Sequence, residues 1–508
     1  MTTKSILELA NWNEDQELTL LLSLLRKDVN LWQNTMTASQ LQEIDWSRLL
    51  RLTEHHRVIP TVYLQLKTLN HPFIPAELLR NLQAQYHRNT LRMLHLQAEA
   101  ERLTRLLTAH GIRVLMLKGP ALAQQLYGDV SLRTSKDIDL LIAPDDMDEA
   151  EHWMKEAGYA SKSGEVRVLG SWKWKDHHAS FLHPQKRVEV ELHWRLHPDG
   201  GREPSFDELW GCRQMGKAPA VRASQMAPAT SADSRNVTTS CMYTLGSEHQ
   251  FLYLSAHGAR HGWFRLRWLV DIDRLAVRAV DWGALLPLMR RYGGLPAGGQ
   301  AWALAAALLG TPIPEPMGPI SATRQAHRLA LSALAFMQAS VPAPYPVANG
   351  ADTGRLVQPE LLPNVALTES MNTAPSDGGI SANGTSGEAV LYAVSSAAGI
   401  SKDASSILGD PVNTVNTAVS SLAKPVGAAT VASSPAIAGA TTTAFTPQPV
   451  SRAYLLSLKE PRHRLWYLIS RLFPSTRDSV ICPLPRQLHF LYIPLRPFLW
   501  LKRRFSKH

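Results

Sequence analysis

Asp137-Ile138-Asp139-Leu140-Leu141-Ile142 sets two carboxylates at i and i+2 within an apolar run. Side chains alternate faces along a strand, so both acids leave the same face and form an edge suited to a divalent cation. Upstream, the apolar run Val114 to Leu117 leads into Lys118-Gly119-Pro120. A glycine at that point lets main-chain N–H groups approach an anion at a helix start. Phosphate and metal would then meet at one place. Further on, Val188-Glu189-Val190-Glu191-Leu192-His193-Trp194 puts Val188, Val190 and Leu192 on one face and Glu189, Glu191 and His193 on the other. This second strand offers one more carboxylate to the same site, with His193 read as packing or hydrogen-bonding behind it.

The elements that must hold these residues follow from pattern and punctuation. Residues 112–117 read as a first strand, and 120–127 as a short helix with proline in its first turn and Gly128 at its end. A loop over 129–136 leads into the Asp strand. The stretch 145–157 is an amphipathic helix stopped by Gly158. Residues 164–182 look like strand and turn material, and His177-His178 within them is read as surface or loop. The Glu strand completes a small mixed sheet.

The stretch Leu117-Lys118-Gly119-Pro120-Ala121-Leu122, with Leu126-Tyr127-Gly128-Asp129, Arg133, Asp137-Ile138-Asp139-Leu140-Leu141 and Glu191-Leu192-His193-Trp194, resembles a bacterial family of uncharacterised nucleotidyltransferases, within the polymerase-beta-like superfamily. The similarity runs from the N-terminal helices to about Gly294 and resumes near Tyr454. It implies Mg²⁺-dependent transfer of a nucleoside monophosphate from an NTP to an acceptor, with pyrophosphate leaving. Under that resemblance Asp137 and Asp139 hold the metal that chelates the triphosphate, and Glu191 completes a second metal position. Lys118, Gly119 and Arg133 stand as the nucleotide-binding residues, the two cations being solvated charges in the plainer reading. The superfamily's usual Gly-Ser is Gly119-Pro120 here, and the last carboxylate is Glu where Asp is commoner.

The fold class expected is α+β: a small mixed-sheet nucleotidyltransferase core flanked by N-terminal and C-terminal helical lobes, with a long disordered linker. The divisions are a helical lobe over 1–110, the catalytic core over 111–216, a flexible insertion over 217–240, a helical lobe over 241–310, a low-complexity linker over 311–450 and a basic amphipathic segment over 451–508. The linker is assigned from its Ala, Ser, Thr, Pro and Gly content, which buries too little apolar surface to offset ordering entropy, although 322–338 alone has a helical pattern.

Net charge is +10, and residues 452–508 hold twelve Lys or Arg against two acids, so the tail carries a charge equal to the whole excess. Its Leu, Trp and Phe residues recur at helical spacing among these cations, which fits docking on its own domain or, in the alternative, lying at a membrane surface. Nucleic acid is a further possible partner on charge alone, without a recognisable reading module. Three cysteines lacking metal spacing, and an N-terminus lacking an apolar signal core, lead to an expectation of a cytoplasmic protein.

Two other motifs invite chemistry. Asp271-Ile272-Asp273 is a second Asp-x-Asp, but its surroundings have helical spacing, so its acids diverge and are read as structural. His257 and His261 share a helical face at a spacing that zinc sites use, yet no third ligand follows at metal spacing, and a structural or substrate-facing role is preferred. The alternative to an enzyme is a catalytically inactive nucleotide-binding or interaction protein that retains the fold, with Pro120 in place of Ser as its support.

Overall fold

The computed structural model describes residues 15–26, 38–162, 170, 172–198, 201–216, 242–339, 450–470, 473–474 and 476–505. The chain divides into two compact units, 1–347 with 447–508 and 348–446, and every described element belongs to the first.

A helical N-terminal part comprises α1 (Gln16–Leu25), α2 (Trp46–His56), α3 (Ile59–Leu69) and α4 (Ala76–Ala109). Asp15 and Asp45 cap α1 and α2 by accepting from the backbone N–H of Leu18 and Arg48. The strand β1 (Leu115–Met116) then leads through Gly119 into α5 (Pro120–Tyr127), and β2 (Asp137–Leu141) is followed by α6 (Met147–Glu156). After β3 (Ala160–Ser161) and the short α7 (Trp172–Lys175), β4 (His178–His183) and β5 (Val188–His193) form a hairpin. The short strands β6 (Gln214–Met215) and β7 (Tyr243–Thr244) close the sheet.

The seven strands lie in the order β3-β4-β5-β2-β1-β7-β6. β2 and β5 are adjacent and parallel, and the register sets Asp137 beside Glu189 and Asp139 beside Glu191. Paired residues point to the same side of a sheet, so the two acidic rows share one face. The other face is apolar: Ile138, Leu140, Val188, Val190 and Leu192 are buried with Met93, Leu96, Ala100, Leu103 and Leu107 of α4 and Met147, Ala150 and Met154 of α6. Burial of one face fixes the register, because a slip of one residue would carry the acids into this core.

Beyond the sheet come α8 (Ser247–Arg260), α9 (Leu266–Ala276), α10 (Trp282–Tyr292), α11 (Leu295–Leu304) and α12 (Arg324–Ala339). The last is a correction to the linker: residues 311–339 are packed, not a tether. Ala326, Ala330, Ala333, Leu334 and Met337 are buried, and the Gln300 side chain donates to the Leu329 carbonyl at 2.7 Å. Small residues on both helices let them approach closely, since a Cβ at Gly299 of α11 would lie 3.2 Å from the Ala326 Cβ of α12 and 2.6 Å from the Ile320 carbonyl just before it. The rest of the linker, and the 217–240 insertion, lie outside the described residues.

The tail returns to the same body through α13 (Arg452–Ser457), followed by α14 (Pro461–Ser470) and α15 (Tyr492–Phe505). The Tyr454 hydroxyl donates to the Ala259 carbonyl at 3.0 Å and accepts from Gln300 at 2.9 Å, so the start of the tail is docked on its own domain. Among the described residues no helix is long and apolar enough to cross a membrane.

One buried carboxylate ties α4 to the hairpin. Glu99 accepts from Arg102 at 2.6 Å, from Lys186 at 2.8 Å and from the Tyr159 hydroxyl at 2.9 Å. Burial pushes its pKa up, but the hydrogen bonds from Arg102, Lys186 and Tyr159 outweigh it and hold the carboxyl down from 4.5 to about 2. A folded pKa below the unfolded one stabilises the fold above about pH 4.5, and that contribution is lost as pH falls toward about 2. Urea midpoints of wild type and Glu99→Gln should therefore converge on acidification through this window; parallel pH profiles would contradict it.

Candidate active site

Five of the residues singled out from the sequence converge at the edge of β2 and β5. Asp139 is fully buried, and its Oδ1 lies 3.0 Å from Lys118 Nζ and 3.2 Å from His193 Nε2. The same His193 Nε2 is 3.3 Å from Glu191 Oε2. Asp137 opens toward solvent, 3.6 Å from Lys136 Nζ, and accepts from Ser135 Oγ at 3.4 Å. Glu191, rather than Glu189, joins the cluster, because Glu189 turns to Lys162 at 2.8 Å.

Charge at this edge is unevenly held. Burial works against the Asp139 carboxylate, yet Lys118 and the His193 contact keep its pKa well below the usual carboxylate range. Burial and the adjacent Asp139 push Asp137 up. Burial also raises Glu191, but its hydrogen bond with His193 outweighs this and leaves it lowered. For Lys118 burial favours the neutral amine, and Asp139 overcomes it, so the ammonium is retained. His193 is likewise raised, since its bonds to Asp139 and Glu191 offset burial.

Gly119 forms the turn between β1 and α5. Its φ of 75° and ψ of −143° belong to a region open essentially to glycine alone, and a Cβ there would touch the Asp137 carbonyl at 3.4 Å. Pro120 follows at the first position of α5, where its missing N–H costs no helical bond. Gly119→Ala should cost about 1–3 kcal/mol of stability through backbone strain. A thermal melt within error of wild type would show that this turn tolerates a side chain.

Arg133 directs its Nε and Nη2 hydrogen bonds to Asp271, not to the carboxylates of this cluster. Its guanidinium is buried and faces Asp271 of α9, with Nη2 at 2.9 Å and Nε at 2.9 and 3.2 Å from the two carboxylate oxygens. Its charge is thus held in an internal ion pair, where the sequence suggested a phosphate cation. The Tyr127 hydroxyl also donates to Asp271, at 2.8 Å, while Asp273 accepts from Thr311 at 2.8 Å. The second Asp-x-Asp thus diverges around its helix, Asp271 meeting Arg133 and Tyr127 and Asp273 meeting Thr311.

Sequence reasoning missed His177 and His178, which are neither bland nor on a free loop. His178 pairs across the hairpin with His193, the ring centroids 5.0 Å apart, and His177 lies 5.5 Å from His193. Burial, then the neighbouring His193, depresses His178 to about 4 and His177 well below its ordinary value. Strand alternation from β5 could have paired His178 with His193, had the hairpin register been known. His257 and His261 lie with ring centroids 4.8 Å apart, His261 stacking on Trp268 and His257 meeting it edge-on, and among the described residues no third ligand joins them.

A cavity of about 330 Å³ adjoins this region, lined among others by His197, Arg202, Arg260, Lys459 and Tyr467. His197 stacks on Tyr253 with ring centroids 5.6 Å apart, and the Tyr253 ring lies 6.0 Å from Lys118 Nζ. The cavity wall and the acidic edge are thus joined through two aromatic rings. Lys459 and Tyr467 come from the tail, which completes this wall.

Residues 42–310, more than half of the chain, match the family described as uncharacterised nucleotidyltransferase. The chain belongs to that family. It is accordingly a transferase of phosphorus-containing groups, acting on nucleotidyl groups with a nucleotide as substrate. No curated protein and no solved structure matches it. The family match covers β1, β2 and β5 with Lys118, Asp137, Asp139 and Glu191, and ends before the tail residues that line the cavity.

Proposed function

We propose that this nucleotidyltransferase transfers a nucleoside monophosphate from an NTP to an acceptor hydroxyl or phosphate, with Mg²⁺ and with pyrophosphate as leaving group. The observation that carries the reading is Asp139 Oδ2, a buried carboxylate oxygen without a hydrogen-bond partner, on a residue two places from Asp137 on β2 and paired with Glu191 on the adjacent β5. A buried acceptor left unpaired is costly, and a hard cation would satisfy it. Oxygen donors from Asp137, Asp139 and Glu191 fit Mg²⁺. When bound there, the ion would supply charge neutralisation on the phosphates and acidify the attacking hydroxyl.

The chain's own part is positioning. First-turn amides of α5 receive phosphate oxygens, and Gly119 keeps the approach open. Lys118, held in the charged form by Asp139, adds a cation beside them. His193 orients both Asp139 and Glu191 through one nitrogen. The cavity beyond Tyr253 receives the acceptor, and Arg202, Arg260 and Lys459 on its wall favour an anionic one.

An inactive nucleotide-binding protein is the second reading, favoured by Pro120, which brings neither hydroxyl nor N–H to the phosphate turn. Calorimetric titration separates binding from turnover. NTP analogues that resist cleavage at the α–β bond should bind wild type only with Mg²⁺, and Asp137→Asn/Asp139→Asn should abolish that binding. A folded wild-type sample that binds no nucleotide would sink both readings. Binding without pyrophosphate release from any NTP and acceptor mixture would leave the second.

A further inference from the structure

The acidic edge is flanked by more imidazole than an all-oxygen magnesium site requires. His177, His178 and His193 each offer a nitrogen within 4.8 Å of the others, and Asp139, Glu191 and His193 form a second such group sharing His193. His178 Nε2 is 3.8 Å from Glu191 Oε1, which links the two groups. The fold makes this convergence deliberately rigid. His178 faces His193 in the β4–β5 register, and the His177 carbonyl accepts from the backbone of Trp194 at 3.1 Å, which fixes the start of β4 against the end of β5.

One unsatisfied atom in the imidazole group points to an absent partner: His193 Nδ1 is buried without a hydrogen bond, on a residue 2 % exposed. A mixed set of imidazoles and carboxylates matches the ligand preference of first-row divalent metals such as Zn²⁺, Mn²⁺ or Co²⁺, whereas Mg²⁺ seldom takes nitrogen. We infer that His177, His178 and His193, closed by Glu191, form a binding site for a first-row transition-metal ion beside the oxygen edge at Asp137 and Asp139, with Glu191 shared between the two. The hydrogen bond between the His177 and His178 rings, 3.0 Å, is given up on binding. One consequence is that this enzyme carries a nitrogen-ligated ion beside its phosphate-binding edge, and that Mg²⁺ in excess does not displace it.

The test uses metal alone, so its outcome does not depend on nucleotide binding or turnover. Full-length apoprotein is titrated with Co²⁺ by visible absorption and with Zn²⁺ by calorimetry, in the presence of excess Mg²⁺. One equivalent should bind, with Co²⁺ absorption indicating nitrogen ligands. His177→Asn/His178→Gln should weaken Zn²⁺ by roughly 100-fold, at least the loss that follows removal of a partner supporting a metal ligand. Circular dichroism establishes that the variant is folded. If it does not fold, ¹⁵N-imidazole spectra of wild type decide the matter: Zn²⁺ should shift the ring signals of His177, His178 and His193 and leave His257 and His261 in place. Absence of Co²⁺ and Zn²⁺ binding, full competition by Mg²⁺, unchanged affinity in the folded variant, or shifts at His257 and His261 instead, would each overturn the site. Loss of nucleotide binding with this site intact would count against the transfer mechanism alone.

Discussion

Asp139→Asn is expected to lower nucleotidyl transfer by about 10³-fold or more, equivalent to ~4 kcal/mol of transition-state stabilisation. The substitution keeps shape and removes charge. Asp139 is the one acid at the edge that is fully buried, holds Lys118 Nζ at 3.0 Å and contacts His193 at 3.2 Å. Its loss would therefore remove a carboxylate donor from the metal edge and release Lys118 from its position in the same step. The stability cost should be the smaller effect, because Lys118 retains 15 % exposure and its ammonium can turn toward water. Pyrophosphate release from α-labelled NTPs, with a thermal melt on the same samples, measures both. The control is Asp273→Asn, in the other Asp-x-Asp, whose turnover per folded molecule should stay in the wild-type range. Transfer by Asp139→Asn at the wild-type rate would remove this residue from the mechanism.

The part of this site that was legible in the sequence is the part fixed by strand alternation. Asp137 and Asp139 had to share a face, and so did Glu189, Glu191 and His193, because the intervening residues are the apolar ones that build the core. Gly119 was legible for a different reason: a turn from strand to helix at that point needs a conformation that glycine alone adopts cheaply. What alternation does not give is register between strands distant in sequence. The pairing of Asp139 with Glu191 depends on the parallel register of β2 against β5, and that of His178 with His193, which draws two imidazoles to the edge, on how the hairpin turn aligns β4 with β5. The same limit hid the fate of Arg133, whose partner Asp271 lies 138 residues away. Composition misled in the opposite direction at 311–339. Low aromatic content argued against packing there, but alanines against a glycine-bearing helix bury their surface by close backbone approach, as α12 does on α11.

Arg133→Met should destabilise the fold by about 3–5 kcal/mol, since removing one partner of a buried ion pair leaves the other charge uncompensated. Arg133 and Asp271 have side chains 1 % and 0 % exposed, and the pair joins the loop before β2 to α9. The Tyr127 hydroxyl would remain as a single neutral donor to a carboxylate that now receives two charged ones as well. The loop itself is held elsewhere: Asn89 donates to the Ser131 carbonyl at 2.9 Å, and Arg92 to the Ser135 and Lys136 carbonyls at 3.1 and 2.8 Å. Loss of the pair should therefore lower global stability without freeing β2. The double variant Arg133→Met/Asp271→Leu removes both charges and should recover most of the loss, giving a coupling energy that urea melts of the four proteins can read. The same cycle decides what Arg133 does for substrate. An internal pair predicts that the folded double variant binds NTP analogues with wild-type affinity, because neither side chain reaches the phosphate turn. A phosphate cation predicts weaker binding in every variant lacking Arg133, whatever stands at 271. Additive stability losses with weakened nucleotide binding in the double variant would restore Arg133 to the site and overturn the reading of this pair as a strut.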